Sequence, residues 1–230
     1  MQPYMGLGNS LQTAQASGGG AGGIGGWVEL ARTTLGSNGQ TITVSSIPDK
    51  RYYMILHNYK LTGASTGGYF QVGNSTIDTG SNYARRYSNN GAADGTNVNH
   101  SNLMDVGGYS DTKEFGVSYI ANLAAKEKLH IGHYNFGLSG AAAAPLRREW
   151  ATKWTNTSNV IDIVKSTQGG SDNYTSGDEV VVLGWDPEDT HTTNFWEELA
   201  SVELSGTADE MDTGTIAAKK YLWVQAYVKG

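Results

Sequence analysis

The chain has 230 residues and few charges, with 16 Lys and Arg against 22 Asp and Glu, a formal net charge of −6. This acidic balance argues against a nucleic-acid-binding surface, because phosphate contacts need clustered Lys and Arg. The sequence has no cysteine, which excludes disulfide bonds and thiolate metal sites, and no apolar run approaches the length of a membrane span. We therefore expect neither nucleic-acid binding nor membrane insertion.

Residues 1–26 predict an extended, Gly-rich arm. Its first part, MQPYMGLGNSLQTAQ, is uncharged, and its second part, ASGGGAGGIGG, has the composition of a flexible linker. Alone, such a segment cannot bury enough apolar surface to offset its chain entropy. It is either a disordered tail or an arm that orders against a neighbouring subunit, and its lack of charge favours the arm, since disordered tails are usually charged. The assembly anchors would be the apolar side chains of Tyr4, Met5, Leu7 and Leu11.

Residues 27–194 predict β-strands throughout. TITVSS and EFGVSYIAN alternate apolar and polar residues with period two, and RYYMILHNY, KLHIGHYNF, VIDIVK and EVVVLGW are short β-branched or aromatic runs. Turn signals such as Asn89-Asn90-Gly91 and Gly169-Gly170 separate these runs. The expected fold class is all-β, an antiparallel β-sandwich that is jelly-roll-like, with less than about a tenth of its residues helical.

Residues 195–230 repeat the opening of the preceding region. WVELARTTL, which begins at Trp27, and WEELASVEL, which begins at Trp196, match at a constant offset that continues further along the chain. The period is the length of a domain, so this region predicts either the opening strands of a second repeat or closing strands packed on the first. In a second repeat, the strand Lys219–Val228 should superpose on Lys50–Tyr59, because an ungapped repeat keeps every side chain on its face. Uncovered strand edges would then predict a homo-oligomer.

A short loop near residue 186 holds the densest group of polar side chains. Asp186, Glu188 and Asp189 lie close together in GWDPEDTH, and hard cations prefer several oxygen ligands from a compact loop. A calcium site is one interpretation, and an ordinary solvated turn is the other, because the spacing matches no EF-hand. His130 and His133 are expected on opposite faces of a strand, since an odd separation changes sides, so they should not share a metal. No other cofactor is expected.

Catalytic motifs are not found in the sequence, which has no G-x-S-x-G elbow, P-loop or H-E-x-x-H. An enzyme is therefore the least favoured class. Trp150 and Trp154 are expected to share one face of a strand, because their separation is even. They would form a platform for a sugar ligand in one interpretation, and pack in the core or an interface in the other.

Four stretches resemble sequences of β-rich structural proteins of tailed bacteriophages, particularly from marine waters: GWVELARTTLGS, DTGSNYARRYSNNGAADGT, EFGVSYIANLAAKEKL and VVLGWDPEDTHTTNFWEELASVELS. In similar proteins the W-x-E-L unit opens each of two tandem β domains. The resemblance implies a virion component, assembled in the host cytoplasm: a tail fibre, another appendage or a capsid decoration protein. Its partners would be other virion proteins and copies of itself, with a trimer favoured by analogy with phage fibres. The family supplies no functional residues.

The sequence is also compatible with two other functions. A carbohydrate- or receptor-binding module would recognise a host-surface glycan, and this role is compatible with a virion component that projects from the particle. A polysaccharide-cleaving enzyme would need a pair of carboxylates, but Asp and Glu are too common in the chain for such a pair to be diagnostic.

Overall fold

The computed structural model describes residues 26–63, 67–107, 113–137, 140–189 and 194–226. Within these residues the chain forms thirteen β-strands and no helix, which confirms the all-β prediction. The strands are β1 (Val28–Thr34), β2 (Thr41–Val44), β3 (Tyr52–Lys60), β4 (Gly68–Asn74), β5 (Thr76–Ile77), β6 (Tyr83–Asn89), β7 (Gly95–His100), β8 (Met104–Val106), β9 (Lys113–Ala121), β10 (Lys128–Gly137), β11 (Leu146–Trp154), β12 (Ile163–Thr167) and β13 (Glu179–Trp185).

Two antiparallel sheets pack face to face as a sandwich, as predicted. The larger sheet has the strand order β1-β13-β3-β9-β10-β11-β6-β7. The smaller sheet has the order β2-β12-β4-β5, and β8 also pairs with β4. One cluster of buried aromatic and aliphatic side chains fills the interior, including Tyr53, Phe70, Trp154 and Val182.

Eight of the strands pair in a nested order along the chain. β1 pairs with β13, β2 with β12, β3 with β9, and β4 with β8, so that each early strand meets a late one. These strands make up the run β1-β13-β3-β9 in the larger sheet, and β2-β12-β4 with β8 in the smaller sheet. The larger sheet is then extended beyond β9 by β10, β11, β6 and β7.

Side-chain alternation decides which residues face the interior. Along β10 every second residue from Lys128 to Phe136 is buried, and the residues between them are exposed. This pattern arises because successive side chains of a strand point to opposite faces of the sheet. His130 and His133 therefore lie on opposite faces, as predicted.

Residues 196–226 belong to a second compact unit, which is divided from the first between Phe195 and Trp196. No strand is assigned to any described residue of this unit, and the end of the predicted strand Lys219–Val228 lies outside the described residues. Most of its side chains are exposed. Its internal contacts include an edge-to-face contact of the Trp196 and Trp223 rings, 5.4 Å between centroids, and an ion pair between Lys219 and Glu197.

The physical reason for this difference is the lack of partner strands. A strand is stable only beside a neighbour, and in the first unit β1 pairs with β13, and β3 pairs with both β13 and β9. Those partners come much later in the chain than β1 and β3. Among the described residues of the second unit no strand pairing of this kind occurs, so the repeated residues do not form the same strands there.

Candidate functional site

A row of hydrogen-bonded polar side chains crosses the inner face of the larger sheet. Its members come from four neighbouring strands and are His57 on β3, Ser118 on β9, His130 on β10 and Thr152 on β11. The Ser118 hydroxyl lies 3.2 Å from His57 Nε2 and 3.0 Å from His130 Nε2. His130 Nδ1 lies 2.6 Å from the Thr152 hydroxyl, and His57 Nδ1 lies 2.8 Å from the Tyr59 hydroxyl. Every ring nitrogen of both histidines therefore has a partner.

When both imidazole rings are neutral, every hydrogen-bonding group in this row has a partner. Each ring can donate from Nε2 to the Ser118 oxygen and accept a hydroxyl proton at Nδ1. Ser118 then donates to the Met104 sulfur, 3.9 Å away. Burial disfavours the charged imidazolium, and it lowers the pKa of His130 to about 3 and the pKa of His57 well below its ordinary value. Both histidines are therefore neutral at physiological pH.

The polar row has the residue types of a nucleophile–base pair, but it is closed to substrate. A nucleophilic serine needs a base within hydrogen-bond reach, which Ser118 has, and it also needs access to the reacting carbon. Ser118 is 0% exposed and His130 is 2% exposed. We therefore interpret the row as a structural network, of the kind that fixes a single core packing when all of its members are satisfied.

Glu114 is a buried carboxyl that the sequence patterns did not single out. It faces inward on β9 in the same alternation as Ser118. Burial raises the pKa of Glu114 to about 8, against the opposing effect of the Gly107 N–H, which donates to Oε2 at 2.9 Å. The side chain is therefore mainly protonated at neutral pH. One signal in the sequence could have predicted its burial: in EFGVSYIAN the Glu114 side chain falls on the same face of the strand as Ser118.

Trp150 and Trp154 share one face of β11 as predicted, but that face is the interior. Trp150 is 3% exposed and Trp154 is 1% exposed. The Trp150 ring lies 5.0 Å from the Tyr87 ring and 5.3 Å from the Arg85 guanidinium carbon, and Trp154 Nε1 donates to Asp78 at 2.7 Å. A sugar cannot stack on buried rings, so the platform hypothesis is wrong and core packing is the correct interpretation.

The acidic loop after β13 is bound by neighbouring cations and N–H groups. Asp189 pairs with Lys50 and accepts a hydrogen bond from the Asp186 N–H at 2.9 Å. Asp186 Oδ1 accepts from the Arg51 N–H at 3.1 Å, and Glu188 is exposed. Among the described residues, no group of three or more His, Asp or Glu side chains is placed to hold a metal ion. This geometry favours the turn interpretation over a calcium site.

The outer face of the larger sheet carries an exposed apolar patch. Tyr119 on β9 lies directly opposite Ile131 on β10, and Leu129 lies on the same face of β10. Leu123 follows in the turn after β9. The exposed fractions of these four residues lie between 41% for Tyr119 and 60% for Leu129. We call Tyr119, Leu123, Leu129 and Ile131 the apolar patch.

Charged side chains border the apolar patch along β11. Lys153 lies opposite Leu129 and pairs with Glu127 at 2.7 Å, while Glu149 lies opposite His133. A desolvated centre surrounded by a polar rim is the general arrangement of a protein interaction surface. Contiguous exposed apolar surface on a folded domain also indicates binding. The apolar patch is therefore the candidate functional site.

An aromatic row begins where the predicted arm joins the sheet. The described chain enters the sandwich at Gly26, next to Trp27. The Trp27 ring lies 6.5 Å from the Trp185 ring, which in turn stacks on Tyr52 at 5.4 Å. The predicted assembly anchors, Tyr4, Met5, Leu7 and Leu11, lie outside the described residues.

A second surface feature is a depression of about 380 Å³ lined by polar residues. Its walls are formed by Asp78, Asn82 and residues 155–159. Part of this lining is engaged internally. Asp78 accepts hydrogen bonds from the Asn82 side-chain amide, and Asn156 Oδ1 accepts from the N–H groups of Ser158 and Asn159. Hydroxyl and amide groups of this kind can hydrogen-bond the hydroxyls of a sugar.

Within the described residues no helix is long and apolar enough to cross a membrane. Comparison with known proteins gives no match to this chain among family models, curated proteins or solved structures.

Proposed function

We propose that the chain is a structural component of a bacteriophage virion: a tail fibre, another appendage or a capsid-attached protein. The observation that carries this proposal is the apolar patch with its charged border, an arrangement typical of a surface that binds a segment of protein chain. The sequence resemblance to β-rich phage proteins supplies the virion context. The partners are other virion proteins and further copies of the chain, with a trimer favoured and the N-terminal arm as the anchor.

The order of the strands supports the same proposal. We propose that the sandwich is a double-sheet jelly roll, because four nested strand pairs are divided between its two facing sheets. Viral capsid domains and lectin domains use this architecture. Because one fold hosts many functions, the strand order supports the proposal only together with the apolar patch.

The closed interior favours a structural role over a catalytic one. The polar row from His57 to Thr152 is hydrogen-bonded throughout and shielded from solvent. Such a network stabilises one packing of the core, but a serine that no substrate reaches cannot act as a nucleophile.

Purified particles and the recombinant full chain test the proposal together. We expect peptides of this chain in mass spectra of gradient-purified phage, and we expect the recombinant chain to sediment as a homo-oligomer. Detection in infected-cell lysate but never in particles, together with a stable 24.5 kDa monomer in sedimentation, would contradict the proposal.

Binding of a host-surface glycan is the second candidate, and the polar depression at Asp78 favours it. In this case the full chain should bind a subset of sugars on a glycan array, and Asn159→Ala, which alters the lining, should weaken that binding. Val98→Ala is the matched control, because Val98 is exposed on β7 and does not line the depression. An array without signal would remove this candidate.

A further inference from the structure

The apolar patch is too small to hold a second folded domain by itself. Its four partly exposed side chains offer on the order of a few hundred Å² of apolar surface. Each partner in a stable protein–protein interface contributes about 800 Å². The patch therefore fits a short segment of chain better than the face of another sandwich.

The N-terminal arm is a segment of matching size and character. In an extended chain alternate residues share a face, which puts Met5, Leu7 and Leu11 on one side. No charged side chain occurs before Glu29. Burying this segment against apolar side chains therefore carries no cost of desolvating a charged side chain.

The position at which the arm joins the sheet puts the patch within the arm's reach. Trp27, Trp185 and Tyr52 form an aromatic row on the outer face, and the strand register leads from Tyr52 across β9 to Leu129. Four strand spacings, about 19 Å, separate β1 from β10. The Gly-rich stretch between the anchors and Gly26 has an r.m.s. span of about 20 Å as a flexible chain. A linker is most effective when its span matches the distance it must cover.

We propose that residues 4–11 bind the apolar patch of their own chain, with Met5, Leu7 and Leu11 packed against Tyr119, Leu129 and Ile131. Docking covers the assembly anchors until a virion partner displaces them from the patch. The contact itself is independent of the virion function, so a failure of the test below leaves the proposed function standing.

Engineered cysteine pairs test this contact. The chain has no cysteine of its own, so no native thiol can form a competing disulfide. The full chain carrying Leu7→Cys and Ile131→Cys is oxidised at low protein concentration, and its disulfide is located by peptide mass mapping. The matched control pairs Leu7→Cys with Val98→Cys, because Val98 is 74% exposed on β7 at the edge of the sheet. We expect the Ile131 pair to form an intrachain disulfide at least about tenfold faster than the Val98 pair, since docking raises the local concentration of the arm. Equal rates, or a disulfide only between chains, would overturn the proposal.

A charge placed in the patch tests the same contact without a crosslink. Ile131→Lys is expected to raise the rate of chymotrypsin cleavage within residues 4–11 about tenfold, because burial of one aliphatic side chain is worth about a factor of ten in an equilibrium. Val98→Lys is the control, and an unchanged melting temperature shows that each sandwich is folded. Equal cleavage rates in the two variants would overturn the proposal.

Discussion

At two neighbouring positions of β9 and two of β10, the polarity of the two faces of the larger sheet is the reverse of that in most antiparallel sheets. The inner face carries Ser118 and His130, which are buried, and the outer face carries Tyr119 and Ile131, which are about half exposed. Antiparallel sheets commonly bury an apolar face and expose a polar one. Polar side chains are stable in the interior when every hydrogen-bonding group has a partner, whereas exposed apolar side chains indicate a surface that another segment covers.

Acidification is expected to cause the largest loss of unfolding free energy, through the two histidines of the inner face. Burial lowers the pKa of His57 and His130 below the unfolded value of about 6.5, so the unfolded chain binds more protons than the folded chain below that pH. Stability is therefore kept above pH 6.5 and lost as the pH falls toward the folded pKa values. The loss is up to about 1.4 kcal/mol per pH unit for each histidine, and urea unfolding between pH 7 and pH 4 measures it.

The outer face supplies the control for the acid experiment. His133→Gln changes an exposed residue, and it should leave most of the loss of stability below pH 6.5 in place, because burial is the larger cause of the low pKa of His130 and the interaction with His133 is the smaller one. A flat stability profile from pH 6.5 to pH 4 in the unmodified chain would contradict the assignment of neutral, buried histidines.

Ser118→Ala is expected to cost about 2–3 kcal/mol of unfolding free energy. The substitution removes the oxygen that both Nε2 atoms contact and leaves two buried polar groups without a partner. The neighbouring outer residue provides the matched variant, because Tyr119→Ala removes a half-exposed side chain and should cost about 1 kcal/mol or less. Urea unfolding of both variants measures the two losses of unfolding free energy. Equal losses would show that the hydrogen bonds of the inner row add nothing to stability.

Glu114→Gln is expected to change how stability depends on pH between pH 5 and pH 8. Burial raises the pKa of Glu114 to about 8, so the protonated form stabilises the folded chain fully below the unfolded pKa of about 4.5, and this contribution is lost as the pH rises through 8. Between pH 5 and pH 8 the unmodified chain should lose up to about 1.4 kcal/mol per pH unit relative to the variant. Thermal unfolding at a series of pH values tests this, and parallel profiles would show that Glu114 is ionised in the folded chain.

Ile131→Ser should have the smallest effect, about 1 kcal/mol or less, because the sandwich leaves this side chain about half exposed and only the arm adds to its burial. Denaturant unfolding at neutral pH measures the change. A loss above about 2 kcal/mol would mean that the sandwich itself packs around Ile131, which would then not belong to a surface that the arm can cover.

Alternation in β10 predicts which residues share a face, but it does not predict which face is inside. In KLHIGHYNF, hydrophobicity favours Leu129 and Ile131 for the interior, and yet the structure buries the set that contains His130. That set also includes Tyr134 and Phe136, whose rings belong to the core. Hydroxyl groups on the two neighbouring strands bind the imidazole, and these partners are not visible within one strand.

The fold class was predictable because strands and turns depend on local residue types, whereas the candidate sites depend on distant partners. From the sequence alone Trp150 is a candidate for ligand binding, but in the structure Arg85 and Tyr87 pack against its ring. Asp189 is likewise a candidate metal ligand from the sequence, but in the structure it forms an ion pair with Lys50. In both cases the partner lies far away in the sequence, and no local pattern connects the two.

The nested strand order also affects how the chain is made. Val28 pairs with Gly184, so at a synthesis rate of about 5–20 residues per second the first strand leaves the ribosome on the order of 10 s before its partner. The meander of β9, β10 and β11 closes over short connections and should form early, because contacts between distant residues form slowly. Pulse-labelled hydrogen exchange during refolding should therefore protect amides of β10 before those of β1. On a polysome, an unpaired β1 is the strand that a neighbouring nascent copy is best placed to capture.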